Sequence, residues 1–388
     1  MTTVATQRAV GDVQAPVAPS TRQERTFHTL DGLRGVAALA VASIHIPSFT
    51  HRNFLGGPHI LFGGLAVDFF FVLSGFVIAH AYGQKLTQGM SPGGFLRVRI
   101  IRLWPLYVLS IGIAVAQFGL ERWMTPNIWT WNSLAMVALA SLVMIPLPIF
   151  GFNNEPMFLL NPATWSLAAE MVVNIIYAAI GRYLGGARLV VLCAAAGCVL
   201  LWRSLQHHGG SIGVMWEGLD IALARAVYGF FVGVLVYRLH QRRPLKGAWN
   251  GWVLLVLLAV LLLGPTDPSW RPWYEPVCTL LVFPVMVYVG ASSPLDTISR
   301  RICLFLGGVS YALYVLHSPL ARTAEWTAGL LHLNLGTDLA DFGLLAAFVI
   351  AAFVADIVYD QPVRKALTRM FGGRRKRLEP AALNPTPG

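Results

Sequence analysis

Long apolar runs separated by short polar or Pro- and Gly-bearing connections recur along the whole chain. They lie at about 32–50, 59–82, 101–120, 130–150, 164–184, 187–203, 219–240, 249–264, 273–290, 303–321 and 339–359. A helix needs roughly 20 apolar residues to cross the hydrocarbon core of a bilayer, and a helix satisfies its own backbone hydrogen bonds where no water can. The pattern therefore predicts an all-α polytopic membrane protein. The weakest run is 130–150, where Pro146 and Pro148 interrupt the periodicity and the loop-like FNNEPMFLLNP follows. Proline removes a donor and clashes with the preceding turn. That segment reads as partial or re-entrant, leaving a bundle of about ten transmembrane helices.

Composition sharpens this reading. Of 388 residues, 56% are hydrophobic and 12% charged, with a mean hydropathy of +0.61, against roughly 25% charged in an average soluble domain. The net charge of +11 thus speaks of orientation rather than of nucleic acid. Of the 29 Lys and Arg residues, 23 fall on one side of the alternating connections and 5 on the other, with Arg225 inside a span. Basic connections stay in the cytoplasm, so both termini are expected there. Residues 1–26 are polar, contain Pro16 and Pro19, and lack the apolar core of a secretory signal. They and residues 365–388 read as disordered cytoplasmic tails around one transmembrane domain at 27–364. Cys193, Cys198, Cys278 and Cys303 lie in apolar runs without CxxC or Cys/His metal spacing, so they are expected to be small core residues, with no metal site.

Against so apolar a background, the ionisable residues stand out, since such groups are costly in hydrocarbon and tend to mark function. The first run, LDGLRGVAALAVASIHI, carries Asp31 and Arg34 at its entrance and His45 deep inside. Eleven residues are three helical turns, which puts Arg34 and His45 on one face about 16 Å apart along the axis. Asp31, three residues from Arg34, is placed to orient it. Along TWSLAAEMVVN, Ser166, Glu170 and Asn174 recur every four residues as one polar stripe, at a depth that Glu170 could share with His45. In RVRIIRLWPLY, Arg99 and Arg102 lie one turn apart near the same entrance as Arg34, and paired guanidinium groups suit phosphates. Asp68 and Ser74 are buried in AVDFFFVLSGF, and GVSYALYVLHSP aligns Ser310, Tyr314 and His317.

Each group also has a structural reading. Arg99 and Arg102 could be orientation anchors, and Asp68 and His317 could tie helices together. Tyr314 reads as structural, Arg225 is expected to pair with Asp220 or Glu217, and Gly229 and Gly233 have the small-xxx-small spacing of close helix packing.

In order along the chain, LDGLRGVAALAVASIH, VDFFFVLSGFVIAH, RIIRLWPLY, TWSLAAE, SYALYVLHSP and YDQPVRK together resemble the acyltransferase 3 family of membrane O-acyltransferases. The resemblance covers nearly the whole chain. It implies transfer of an acyl group, commonly acetyl from acetyl-CoA or another acyl-CoA, to hydroxyls of polysaccharides, lipid-linked sugars or small secondary metabolites such as a macrolide. It also implies a bacterial cytoplasmic (inner) membrane location, with Arg34, His45, Arg99, Arg102 and Glu170 as site residues. Asp68, Ser74, Trp165, Ser166, Tyr314 and His317 would support them or meet substrate. Asp360-Gln361-Pro362 stands where the family often has Glu-x-Pro. The expected mechanism has His45 as general base, Glu170 orienting its ring, and the arginines holding the CoA phosphates. Absence of a Gly-x-Ser-x-Gly elbow and of an evident base beside Ser74 or Ser310 disfavours a covalent acyl-serine route. A proton-coupled transporter is the competing reading, although no inverted repeat supports it.

Overall fold

The computed structural model of the chain describes residues 27–46, 62–124, 129–149, 155–206, 213–245, 249–264, 268–333 and 337–371. The N-terminal tail, Arg52, Lys246 and residues 372–388 lie outside them. All eleven apolar runs form helices: α1 (His28–Ser43), α2 (Gly63–Thr87), α3 (Pro92–Met124), α4 (Trp131–Leu142), α5 (Thr164–Ile180), α6 (Gly186–Gln206), α7 (Leu219–Arg242), α8 (Gly251–Leu263), α9 (Arg271–Gly290), α10 (Thr297–Leu330) and α11 (Asp338–Ala355). A π-helical turn at Asp356–Asp360 carries α11 into α12 (Gln361–Phe371). The helix therefore runs past residue 364, where the sequence placed the start of a disordered tail.

Among the described residues, eight helices are long and apolar enough to cross a membrane. The 12-residue α4, about 18 Å long, falls short of a hydrocarbon core of about 30 Å, as its prolines suggested. The 13-residue α8 also falls short, although the sequence counted it among the full crossings. Side-chain caps fix where several helices begin. Thr130 and Ser133 form a reciprocal capping box at α4, Asn250 accepts from the Trp252 amide at α8, and Asp296 accepts from the Ile298 and Ser299 amides at α10. The outer surface is apolar: Val191, Trp202, Val256, Leu281, Ile350 and Val358 are all exposed, as expected where lipid is the solvent. Cys198 is exposed as well, on α6, so only Cys193, Cys278 and Cys303 occupy the core positions expected of all four.

Two parallel helix pairs build the centre. In one, α2 lies along α7, with Asp68 opposite Arg225, Val72 opposite Gly229 and Gly233, and Phe76 against Tyr237. A side chain at Gly75 would run into the Phe230 carbonyl, and one at Gly233 into the Val72 carbonyl. In the other pair, α1 lies along α10. Gly32 meets Cys303, Gly35 meets Leu306, Asp31 meets Gly307, and at the far end His45 meets His317. Without interior water to drive helices together, such small-residue contacts are what let backbones approach.

Prolines inside the helices free carbonyls that side chains then recover. Pro284 cannot donate to Leu280, whose carbonyl instead accepts from Tyr228 Oη at 2.7 Å. Pro319 leaves the Val315 carbonyl open, and Asn161 Nδ2 donates to it at 2.9 Å. A bare carbonyl in hydrocarbon would cost several kcal/mol, so each proline fixes a neighbouring element. The loop carrying Asn161 is thereby pinned to α10, two residues from His317.

Gly233→Ala should lower the stability of the detergent-purified protein by about 1–3 kcal/mol, because the methyl overpacks the α2 backbone. Gly308→Ala, where the new methyl meets nothing within 4 Å, should leave the melting temperature unchanged or raise it. Thermal melts of the two variants check the contrast.

Candidate active site

Three arginines from two helices converge on one cavity. It has a volume of about 150 Å³ and is walled by α1, α2, α3, α5 and α10, with Arg34, Ser74, Arg99, Arg102, Ser166, Glu170, Ser310, Tyr311 and Tyr314 among its lining residues. Along α2 the lining runs from Val67 to Ile78, about 16 Å of helix. The cavity is thus a channel along the bundle rather than a surface dent.

Arg34 is fixed at its entrance. Its Nη2 donates to Asp31 Oδ1 at 3.0 Å and to the Gly307 carbonyl at 2.7 Å, so Asp31 orients Arg34 as the i,i+3 spacing predicts, and α10 holds it from across the interface. Ser310 Oγ donates to that same carbonyl at 2.7 Å. Arg102 is different. Among the described residues it forms no hydrogen bond or ion pair, although Arg34, Arg364 and Asp360 lie close enough to act on it electrostatically. Asp360 is fully buried at the π-turn and takes a 3.0 Å ion pair from Arg364.

Glu170 does not serve His45. Its Oε1 accepts from Arg99 Nη2 at 2.6 Å and from Ser74 Oγ at 2.7 Å, and no contact with His45 occurs. The sequence reading let Glu170 share the depth of His45, whereas its bonds place it beside the arginines, and periodicity could not say which helix its face meets; that helix is α3. The hydroxyl of Ser74, which the sequence left without a neighbouring base, therefore sits on a carboxylate. Within the polar stripe, Ser166 bonds the Tyr314 hydroxyl, while both amide atoms of Asn174 are buried without a partner among the described residues.

His45 lies in the tight turn just beyond α1, half-buried, and does not line the cavity. Its Nδ1 contacts the Val41 carbonyl at 3.0 Å. A carbonyl only accepts, so Nδ1 carries the hydrogen and Nε2 keeps its lone pair. Its ring stacks edge-on against His317, with centroids 4.5 Å apart. His317 in turn touches Tyr314, at 5.8 Å between centroids, and Tyr314 lines the cavity. The two histidines thus lie one aromatic ring beyond the arginine-lined space.

Asp68 belongs to a different assembly. Arg225 grips it in a fork, Nε to Oδ1 at 2.7 Å and Nη2 to Oδ2 at 3.1 Å, while Nη2 also reaches the Gly64 carbonyl and Thr279 Oγ1 donates to Oδ2. Trp165 covers the guanidinium at 5.1 Å. The expected pairing of Arg225 with Asp220 or Glu217 does not occur, and Asp220 binds Arg203 instead. Nearest-neighbour reasoning missed this because the partner lies 157 residues away on the parallel helix. Thr279 reaches the pair from a π-helical turn at Cys278–Val282, a local widening with no sequence signature beyond the flanking Pro276 and Pro284.

With this geometry in view, comparison with known proteins gives a consistent result. Residues 27–358 match the acyltransferase domain family Acyl_transf_3. The chain is 39% identical over 189 residues to "Protein 2 in picA locus" of Rhizobium radiobacter, a match covering 45% of this chain and 93% of that protein. It is 25% identical to acyltransferase MdmB of Streptomyces mycarofaciens over 92% of this chain and 95% of that one. It is also 25% identical to the putative peptidoglycan O-acetyltransferase YrhL of Bacillus subtilis (strain 168), over 91% of this chain and 57% of that one. No solved structure matches.

Asp68→Asn should destabilise the protein by about 3 kcal/mol or more, since it leaves a buried guanidinium without its charge partner. The double variant Asp68→Leu/Arg225→Met should recover much of that loss. Melting the single and double variants side by side measures the coupling.

Proposed function

The chain belongs to the acyltransferase domain family and is a membrane O-acyltransferase, and we propose that it takes an acyl group, most simply acetyl, from cytoplasmic acyl-CoA and places it on a hydroxyl of a cell-surface or lipid-linked glycan. The observation that carries this reading is Arg102: a guanidinium lining the cavity beside Arg34 and Arg99, with no anion of its own among the described residues. An uncompensated cation in low dielectric calls for an anionic ligand, and the phosphates of CoA supply one in fork geometry. Both termini in the cytoplasm of a bacterial inner membrane, as the basic connections suggest, would put this arginine end on the side where acyl-CoA is made. The peptidoglycan named for the Bacillus relative supports a glycan acceptor on the other side.

In the proposed step, His45 Nε2 takes the proton from the acceptor hydroxyl as its oxygen attacks the thioester carbonyl. The carbon–sulfur bond breaks, the ester forms, and the CoA thiolate leaves and collects the proton. Arg34 and Arg102 hold the donor's phosphates. Arg99, held by Glu170, adds charge to the cavity wall and keeps its carboxylate partner from neutralising Arg102. The pantetheine arm lies along the channel beside α2, with its acyl end directed past Tyr314 towards the histidines.

Purified protein supplied with acetyl-CoA and glycan or macrolide acceptors should release free CoA, which a transporter would not. His45→Ala should reduce release to background while the protein still inserts and melts normally. Arg102→Ala should raise the KM for acetyl-CoA about tenfold or more, the loss of one charge-assisted hydrogen bond, with kcat little changed. Normal turnover by His45→Ala would overturn the assignment of the base.

A further inference from the structure

The segment YDQPVRK near the end of the chain has no part in the step described above, yet it forms an unusual joint. Pro362 has no N–H to give, and in a regular helix its ring would press on the carbonyl of Val358. The chain widens into the π-helical turn at Asp356–Asp360 just before it and continues as α12. The end of α12 is tied to the start of α3, where Arg97 Nη1 donates to the Phe371 carbonyl at 3.1 Å. This joint brings two ionisable side chains to the arginine end of the cavity. Asp360 is fully buried, and the side chain of Arg364 is 29% exposed.

Arg364 Nη1 donates to Asp360 Oδ2 at 3.0 Å. The other edge of that guanidinium, Nε and Nη2, has no partner among the described residues. The second carboxylate oxygen, Asp360 Oδ1, is buried and equally without one. Arg102 stands within electrostatic reach of both residues and bonds neither. Two cations and one carboxylate therefore meet here, leaving one positive charge in excess. The shared carboxylate lets the like charges stand near each other in the empty protein, but it cannot balance both. An ordinary i,i+4 pair on a helix surface would leave no such excess. A surplus cation shielded from water calls for an anion.

Arg364 does not line the channel. It lies outward of Arg102 on the last helix, with Lys365 and Ala366 beside it exposed. An acyl-CoA that enters thioester first presents its groups in a fixed order along the channel: the acyl end innermost, then the pantetheine arm, then the diphosphate, and last the ribose with its 3′-phosphate. Arg34 and Arg102, on the channel wall, meet the diphosphate. We propose that Arg364 reads the 3′-phosphate of the donor with the guanidinium edge that Asp360 leaves free. A phosphate suits that planar pair of N–H groups. The proposal rests on the acyl-CoA reading above and narrows it to one group of the donor. It also gives Asp360-Gln361-Pro362 a task, because the turn before the proline sets Asp360 inside the bundle and Arg364 one helical turn later at its edge.

The test compares KM for acetyl-CoA with KM for 3′-dephospho-acetyl-CoA, followed as free thiol released by the purified full chain with glycan or macrolide acceptors. Taking the ratio within each variant cancels differences in yield and folding. The wild-type protein should prefer acetyl-CoA about tenfold or more, the worth of one charge-assisted hydrogen bond. Arg364→Gln should raise the KM for acetyl-CoA to that of the dephospho donor and so erase the preference, with kcat unchanged. Arg102→Ala should raise both KM values alike and keep it. If loss of Arg364 strands the buried carboxylate and the protein does not accumulate, Asp360→Asn/Arg364→Gln, which removes both charges, carries the comparison. A preference that survives in the Arg364 variants, or that the wild-type protein lacks, overturns the proposal and leaves Arg364 as a structural partner of Asp360. A wild-type protein that releases no thiol from either donor with any acceptor refutes instead the function on which the proposal rests.

Discussion

The contact between α1 and α10 is the constraint on which the site depends. Gly32, Gly35 and Gly307 bring the two backbones so close that a methyl at any of them would collide with the opposite helix. The Gly307 carbonyl, left accessible by that approach, takes hydrogen bonds from both Arg34 and Ser310. Because the helices run parallel, fixing the register at the arginine end also fixes it three turns on. His45 then meets His317 without any bond between the two rings being needed to bring them there. A slip of one residue on either helix would turn the imidazoles about 100° apart. The small residues are thus the reason a charged entrance and a histidine pair share one interface about 16 Å long.

Hydrocarbon solvent makes every remaining polar group count. An unpaired donor or acceptor there has no water to fall back on, so the fold is tied together where prolines and charges force pairings. Pro284 brings in Tyr228, Pro319 brings in Asn161, and Asp68 brings in Arg225, Thr279 and, over the guanidinium, Trp165. Each pairing joins elements distant in sequence. They do for this bundle what a hydrophobic core does for a soluble domain, since lipid tails are as apolar as leucine and burying apolar surface gains little.

That dependence also explains what the sequence could and could not tell. Apolar length located α1 to α11, though not α12, and helical spacing paired Asp31 with Arg34 and put Ser166 and Glu170 on one cavity-facing stripe. It brought Arg34, Arg99 and Arg102 to a common entrance because charge placement and helix direction suffice for that. Partners across helices were beyond its reach. Periodicity tells which residues share a face and not which helix that face meets, so Glu170 was assigned to His45 when α3 stands nearer, and Arg225 was given local acids when α2 carries its partner. Helix length was overread at α8, whose apolar run is long enough in letters but closes as 13 residues once Asn250 caps it and Gly264 ends it in the left-handed region at φ 68°.

The charge on the cavity wall completes the argument for an anionic ligand. Arg34 is balanced by Asp31 and Arg99 by Glu170, leaving Arg102 as surplus, with Asp360 near it but taken by Arg364. A structural role would have been served as well by leucine, which spans a membrane at no electrostatic cost. A cation retained inside a bundle without its counterion raises the energy of the empty protein, and it recovers that energy only when an anion enters. The histidine end has a different character: His317 is fully buried, and the Tyr314 ring lies between the pair and the arginines. On the proposed reading, one end of the channel holds charge before the reaction and the other accepts it only during the reaction, a division that would also keep water from a thioester donor.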